Sequence, residues 1–514
     1  MNNFINAMKK ANNYTTTENG EVAVKSTNNA IVDLFGMIGS LRTRSEADVI
    51  DLFMKAYAED KELAIKMLFY ARDIRGGLGE RKTFRIIARY LATRDTSNMR
   101  LNLHLIPEYG RWDDLYVFVG TPLEDDMFKF FGKQLIDDIE TATAALDNKT
   151  FKSISLAGKW AKSLSASSKE SKRLARLTAE KIGLYNTDGK TIYEKYFLYQ
   201  KALSFLRKYL SVTERLMSTK NFDQINFETV PSLAMKKYRE AFKRNVPELY
   251  QSYLDSVQKG EAKINASTLY PYDLVRPYIT HFSKYDGAAV DQTLEAQWKS
   301  LPNYVEGENN FLIMADMSGS MTWYNNAQAE ATAVGLAIYF AERNKGFFHN
   351  VAMSFADEPE FMIFMDEQNL CEKVNQMFSY KVGYSTNIWA AMKMIHDVAV
   401  NNKLKPEELP TSLIIISDMQ FNPSYTGDSE NTLFYDKVKN LFEKDGYEVP
   451  NIVFWNVEGH ENTFHIDRNA QGVQLASGSH PSVFKALIEN VGLTPYDMVV
   501  NVLNSERYKA IRVL

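Results

Sequence analysis

Three oxygen-bearing side chains fall at positions that suit a hard divalent cation. Asp316, Ser318 and Ser320 alternate through the stretch Phe311–Met321. Thr386 stands just before an apolar helical pattern, Ile388–Val400, and Asp418 closes a second apolar run, Leu413–Ser417. Carboxylate and hydroxyl oxygens are hard donors, the kind that suits Mg²⁺ or Mn²⁺. Asp316 alone could instead cap the helix that follows it. Other chemistries lack their residues. There is no His-Glu-x-x-His helix and no nucleophile elbow, and Cys371 lies in a helical pattern with no His close by in sequence. Two carboxylates are too few for the usual two-metal hydrolytic site. The set argues for binding, and the chain is expected not to be an enzyme.

A second group of residues is electrostatic. Residues 1–300 hold 45 Lys and Arg against 37 Asp and Glu, whereas residues 301–514 hold 15 against 27. The hundred residues Phe151–Tyr250 are strongly basic, with 20 against 9. Such asymmetry points to different partners for the two halves. Lys169, Lys172, Arg173 and Arg176 are spaced to share one helical face. Lys159 and Lys162 lie upstream beside Trp160, within a basic helical pattern that runs over Leu156–Ile182. Lys236, Lys237, Arg239, Lys243 and Arg244 follow on a helix opened by Pro231. Clustered cations displace counterions from phosphates, so these eleven residues are the candidate nucleic-acid contacts, which the family resemblance assigns to RNA. A solvated helix face accounts for the same charge run. The glycine-rich stretch Arg72–Arg81 suggests a phosphate cradle. It lacks the preceding strand and the Lys-Ser/Thr ending, and a capped turn between helices accounts for it better.

The elements that must position these groups differ between the halves. Phe311–Ala315 is too short and apolar for a helix and fits a buried strand, with Asp316 at its carboxyl end. Strands are predicted over Asn350–Phe355, Phe361–Met365, Leu413–Ser417, Asn451–Val457 and Gly472–Ala476. Helices are predicted over Ala327–Arg343, Leu433–Lys444 and Pro481–Val491. This alternation implies a mostly parallel, Rossmann-like sheet covered on both faces. The first half shows apolar spacings of three and four instead, as over Ala30–Ile38, Ala47–Tyr57, Glu62–Arg72 and Arg81–Leu91. Few strands are expected before Phe311. The fold class is therefore α plus α/β, with a HEAT-like helical-repeat array ahead of the sheet domain. The expected boundaries are a polar, extended arm over 1–25, a helical domain over 26–290 and a sheet domain over 308–514. Tyr496–Val513 is expected to pack back on the helical part.

At 514 residues the chain exceeds a single core. It has no apolar run long enough to span a bilayer and no signal-peptide core at Met1–Phe4. Cys371 is its one cysteine, which excludes an internal disulfide framework. A cytoplasmic setting without membrane partners is expected.

The order Asp-x-Ser-x-Ser, then Thr386, then Asp418 resembles the metal-ion-dependent adhesion site of von Willebrand factor A domains. That resemblance implies direct ligation by Ser318, Ser320 and sometimes Thr386, with Asp316 and Asp418 acting through water. It also implies one open position for the Asp or Glu of a protein partner. Thr17–Gly20, Arg72–Gly77, Gly110–Leu115, Leu156–Trp160 and Val230–Met235 resemble a family of uncharacterised proteins from plants, fungi, bacteria and phages. Its layout is similar to that of Ro autoantigen proteins, in which a TROVE ring of helical repeats is closed by an A domain. By that resemblance the protein is expected to be an RNA-binding scaffold for small or structured RNA. The alternative is an interaction or assembly factor, of host or phage, without nucleic acid.

Overall fold

The computed structural model describes residues 13–184, 189–279, 289–305, 310–323, 328–354, 358–379, 386–423, 433–466 and 470–514. The chain forms two compact units. Unit 1 takes Met1–Thr83 and Ala266–Lys509, and unit 2 takes Phe84–Asn265 and Ala510–Leu514. Unit 1 thus holds residues on both sides of the expected boundary between 290 and 308, and it groups 26–83 with the sheet.

Unit 1 is built on strands whose sequences are continuous apolar runs. A small hairpin pairs β1 (Tyr14–Thr16) with β2 (Val22–Val24). The main sheet holds β3 (Phe311–Ala315), β4 (Val351–Ser354), β5 (Phe361–Ile363), β6 (Ser412–Ser417), β7 (Asn451–Asn456) and β8 (Val473–Ser477). Its order is β5-β4-β3-β6-β7-β8, parallel except for β5. Every residue of β3, β6, β7 and β8 is buried, as expected for strands covered on both faces. The helix Gln328–Arg343 lies against β3, β4 and β6, and the helices Ala30–Met37 and Pro495–Leu503 lie against β8.

The first 83 residues join this sheet through close backbone contacts. The Ser477 hydroxyl donates to Phe35 O at 2.8 Å and accepts from Gly39 N at 3.0 Å. A Cβ on Gly39 would stand 2.6 Å from the backbone of Ser477 and Gly478, so only glycine fits there. The expected extended arm over 1–25 is described only from residue 13, where the chain folds back on itself. Its described part is the β1–β2 hairpin, whose Val24 bridges Phe464 and whose buried Glu21 pairs with Lys437 at 2.9 Å.

The glycine-rich stretch is a tight turn. Leu78 N and Glu80 N bond back to Tyr70 O and Ala71 O, and a Cβ on Gly77 would lie 2.1 Å from Tyr70 O. The buried Asp73 carboxylate accepts from the Arg507 guanidinium at 2.7 Å and from Tyr508 Oη at 3.1 Å. This is where the tail returns. Replacing Asp73 by Ala removes the acceptor that Arg507 and Tyr508 share. We expect a loss of about 3 kcal/mol, toward the low end for a buried pair because Arg507 is one-third exposed. Urea unfolding of D73A checks this, and an unchanged midpoint would contradict it.

Unit 2 is helical. Its helices include Arg81–Arg94 (whose first turn belongs to unit 1), Glu124–Asp147, Lys169–Lys181, Ile192–Tyr209, Ser232–Asn245 and Pro247–Gln258. Lengths run from 4 residues at Ala157–Trp160 to 24 at Glu124–Asp147. Trp112 and Leu115 turn inward, with Trp112 stacked on Phe130 at 5.2 Å. The basic stretch Leu156–Ile182 is not one helix. The Ser163 hydroxyl accepts from Ser165 N, a local side-chain partner that competes with a helix, and Ser168 caps the next one by accepting from Ser171 N. The last residues close unit 2. Arg512 N and Leu514 N donate to the buried Asn102 and Asn98 amides at 2.9 and 2.7 Å.

Candidate metal centre and candidate nucleic-acid face

Strands β3 and β6 are parallel neighbours, with Ala315 opposite Ile416. Strand β4 flanks β3 on the other side, so the chain departs in opposite directions from this pair. Such a switch point opens a crevice at the carboxyl ends of the strands. Asp316 N extends the ladder by donating to Ile416 O at 2.9 Å. The register therefore sets Asp316 and Asp418, a hundred residues apart, at one end of one strand pair.

The local bonds are specific. Asp316 Oδ1 accepts from Ser318 N at 2.9 Å and Oδ2 from the Ser417 hydroxyl at 2.6 Å. The Ser318 and Ser320 hydroxyls stand 3.1 Å apart. Asp418 Oδ1 accepts from Gln420 N at 3.1 Å, while Oδ2 is buried with no hydrogen-bond partner among the described residues. Both carboxylates are almost wholly buried. Burial raises the pKa of Asp316 against the bonds from Ser417 and Ser318. Burial, and then the Asp316 charge, push Asp418 up to about 7. Met419 holds a left-handed φ of 66°, which turns the chain sharply after Asp418.

Thr386 is buried on the neighbouring loop. Residues 383–385 ahead of it lie outside the described residues. Its hydroxyl donates to Gln420 O at 2.7 Å and accepts from the Asn19 amide at 3.0 Å. The Asn19 amide also donates to Gln420 O at 2.6 Å, Glu18 N to Gln420 Oε1 at 2.8 Å, and the Thr17 hydroxyl to Phe421 O at 2.7 Å. Asp316, Ser318, Ser320 and Asp418 thus converge, and Thr386 stands at their border with its hydroxyl engaged by protein. Among the described residues no three His, Cys, Asp or Glu side chains form a ligand set, so a cation here depends on the hydroxyls. Two desolvated carboxylates, a buried carboxylate oxygen without a donor and two adjacent hydroxyls fit a hard divalent cation such as Mg²⁺ or Mn²⁺.

The expected RNA contacts separate into groups. Lys169, Lys172, Arg173 and Arg176 line one concavity of about 480 Å³ with Leu177 and Glu180. Arg173 pairs with Glu170, whereas Lys169, Lys172 and Arg176 have no ion pair among the described residues. Lys159 and Trp160 line a second groove, also about 480 Å³, with Arg207 and Arg215. Burial lowers the pKa of Lys159. Lys162 turns toward Asp113 at 3.8 Å and over the Tyr116 ring, away from a free surface. On Ser232–Asn245, Lys237 lies over Tyr238, Arg239 donates to Lys236 O, Lys243 pairs with Glu240, and Arg244 is exposed. The rings of Tyr193 and Phe197 are 80% and 66% exposed on Ile192–Tyr209.

Sequence reasoning missed Arg207 and Arg215, which lie forty and more residues from Lys159 and reach the groove only through helix packing. It also missed Arg111, stacked over Trp160 at 4.1 Å, and the loop residues Asn19 and Gln420. Thr17–Gly20 carried a family resemblance, but no spacing rule ties it to Thr386.

No helix of the described residues is long and apolar enough to cross a membrane. A solved structure with overall likeness is the Ro (RSR) protein of Deinococcus radiodurans, 13% identical over 89% of this chain and 92% of that one. Its TM-score of 0.35 is too low to carry fold or function across. Residues 310–510 match the family described as Domain of unknown function (DUF7788). Residues 17–129 and 122–309 match Domain of unknown function (DUF2828). The protein named "Uncharacterized protein L728" of Acanthamoeba polyphaga mimivirus is 31% identical over 96% of this chain and 87% of its own length. With that family model covering more than half of the sequence and the viral relative running nearly end to end, the chain belongs to the DUF2828 family.

Proposed function

We propose that this protein is a non-enzymatic RNA-binding scaffold. The helical unit takes small or structured RNA on its basic face. The sheet unit takes Mg²⁺ or Mn²⁺ at Asp316, Ser318, Ser320 and Asp418, bordered by Thr386, and presents the ion to an Asp or Glu of a protein partner. The observation that carries the RNA reading is the concavity on Lys169–Lys181. Four cations share it, three without ion pairs among the described residues, and such a cluster is a phosphate-binding surface. Exposed Tyr193 and Phe197 on the next helix add ring faces on which unpaired bases stack.

Filter binding of a structured RNA with a single-stranded end, at 50 to 200 mM salt, tests this. Retention that falls steeply with salt is expected. No retention at the lowest salt would leave the interaction-factor reading, which the crevice at Asp418 supports independently.

The bound ion would neutralise the buried carboxylates and offer a Lewis-acidic position to a partner carboxylate. Asp316 and Asp418 would orient its water shell, and the Ser318 and Ser320 hydroxyls would hold it. Asp316→Ala is expected to abolish Mn²⁺ binding in calorimetry while the protein stays folded, because the loss of one carboxylate also relieves repulsion with Asp418. Equal binding by both proteins would place the ion elsewhere. RNA affinity is expected to be unchanged in D316A, since that residue belongs to the other compact unit.

A further inference from the structure

The hairpin turn at Thr17–Gly20 grips the loops around the candidate metal centre. Four hydrogen bonds hold it, from Thr17, Glu18 and Asn19 to Gln420, Phe421 and Thr386. Gly20 completes the turn at φ 99° with N bonded to Thr17 O. Residues on both sides of Glu18 are therefore fixed, yet its side chain is exposed. Glu18 N bonds Gln420 Oε1 and Gln420 N bonds Asp418 Oδ1, so Glu18 stands two hydrogen-bonded steps from the buried, unpartnered Asp418 Oδ2. The Glu18 charge also reaches Asp418, where it opposes ionisation.

We propose that Glu18 is a ligand in cis: with a divalent cation bound at Asp316, Ser318, Ser320 and Asp418, its carboxylate swings onto the ion and occupies the position otherwise open to a partner. This rests on the metal reading above. Among the described residues Glu18 is not gathered into a ligand set with the two aspartates. The swing is a rotamer change of an exposed side chain, a fast and inexpensive motion. The backbone needs no rearrangement because the turn is already pinned. A third carboxylate raises the charge count of the site, which is how oxygen-ligand sites gain affinity. A partner carboxylate would then compete with Glu18, so the arm sets the threshold for partner binding.

The test uses the full chain and Mn²⁺, with calorimetry for affinity and water-proton relaxation for exchangeable waters on the ion. Glu18→Gln is expected to weaken Mn²⁺ roughly tenfold and to add exchangeable water. Asn19→Ala keeps the carboxylate but unpins the turn, and should weaken Mn²⁺ in the same direction. Glu18→Asp should recover part of the loss. If wild type binds Mn²⁺, D316A does not, and E18Q matches wild type in both readouts, the role of Glu18 is overturned while the metal site stands. If wild type binds no Mn²⁺, the metal reading itself fails, and this inference with it.

Discussion

Reversing Lys169, Lys172, Arg173 and Arg176 together to Glu is expected to flatten the salt dependence of RNA binding by about 3 units of log K per log salt. The figure follows from about 0.7 per phosphate neutralised on single strands, over four cations. All four line one concavity, so one strand passing over it meets them together. Folding should survive, because three of the side chains are exposed, Lys172 is only half-buried and the Arg173–Glu170 pair is at the surface. The control is the second groove. Arg215→Glu, on a different helix and exposed, removes a single cation and should lower the slope by about 0.7 by the same rule. Filter titration at four salt concentrations reads both variants. An unchanged slope in the fourfold variant would return this face to plain solvation and move the RNA elsewhere.

The second large effect concerns His480, buried in unit 1. Its Nδ1 accepts from Ser482 N at 3.1 Å, and its ring meets Tyr270 and Tyr304 edge-on at 5.1 and 5.6 Å. Burial, opposed only by the Asp73 charge, lowers its pKa to about 4 from the usual 6.5. A base held neutral in the fold gives stability that is full above pH 6.5. That stability is lost as pH falls from 6.5 to about 4, because the unfolded chain then takes up a proton that the fold refuses. The loss is about 3 kcal/mol for His480. Asp418 acts with the opposite sign. Its raised pKa gives stability that is full at low pH and lost as pH rises through about 7. Because Asp418 is common to wild type and H480Q, comparing the two isolates the histidine. Urea unfolding in EDTA should show the advantage of wild type shrinking by about 3 kcal/mol from pH 7 to pH 4. A gap that stays constant with pH would mean that His480 titrates alike in both states.

The sheet was legible because its signals are local. Apolar runs of five or six residues ending on Asp316 and Asp418 name both the strands and the crevice, and β3 spans the predicted Phe311–Ala315. The helices at Ala30, Glu46, Lys61 and Arg81 follow from spacings of three and four. What failed was long range. The polar composition of the first 25 residues suggested solvent. Yet Thr17, Asn19 and Glu21 are polar because they meet backbone carbonyls and a buried lysine some 400 positions away. That residues 26–83 group with the sheet was not legible for the same reason. Glycine and proline mark where a chain turns, and they do not record that Phe35 and Gly39 bond to Ser477. The charge run on Lys169–Lys181 was visible, whereas its separation from Lys159 and Lys162 depended on one serine cap.

Unit 1 is assembled from two stretches of chain separated by Phe84–Asn265 of unit 2, and this has a consequence for synthesis. The ribosome releases Gly39 and the hairpin long before it makes Ser477 and Gln420. At about 5 to 20 residues per second, the roughly 400 intervening residues take on the order of 20 to 80 seconds. Throughout that interval the apolar side of Ala30–Met37, with Ile31, Leu34 and Phe35, lacks the sheet that buries it. Phe84–Asn265 can collapse meanwhile, short of the strip Ala510–Leu514. Residues 507–514 therefore complete both units within a few positions of each other, with Arg507 and Tyr508 on Asp73 and Arg512 and Leu514 on Asn102 and Asn98. A nascent chain stalled before residue 507 would expose unfinished surfaces in both halves, and so present itself to chaperones and proteases as one incomplete object.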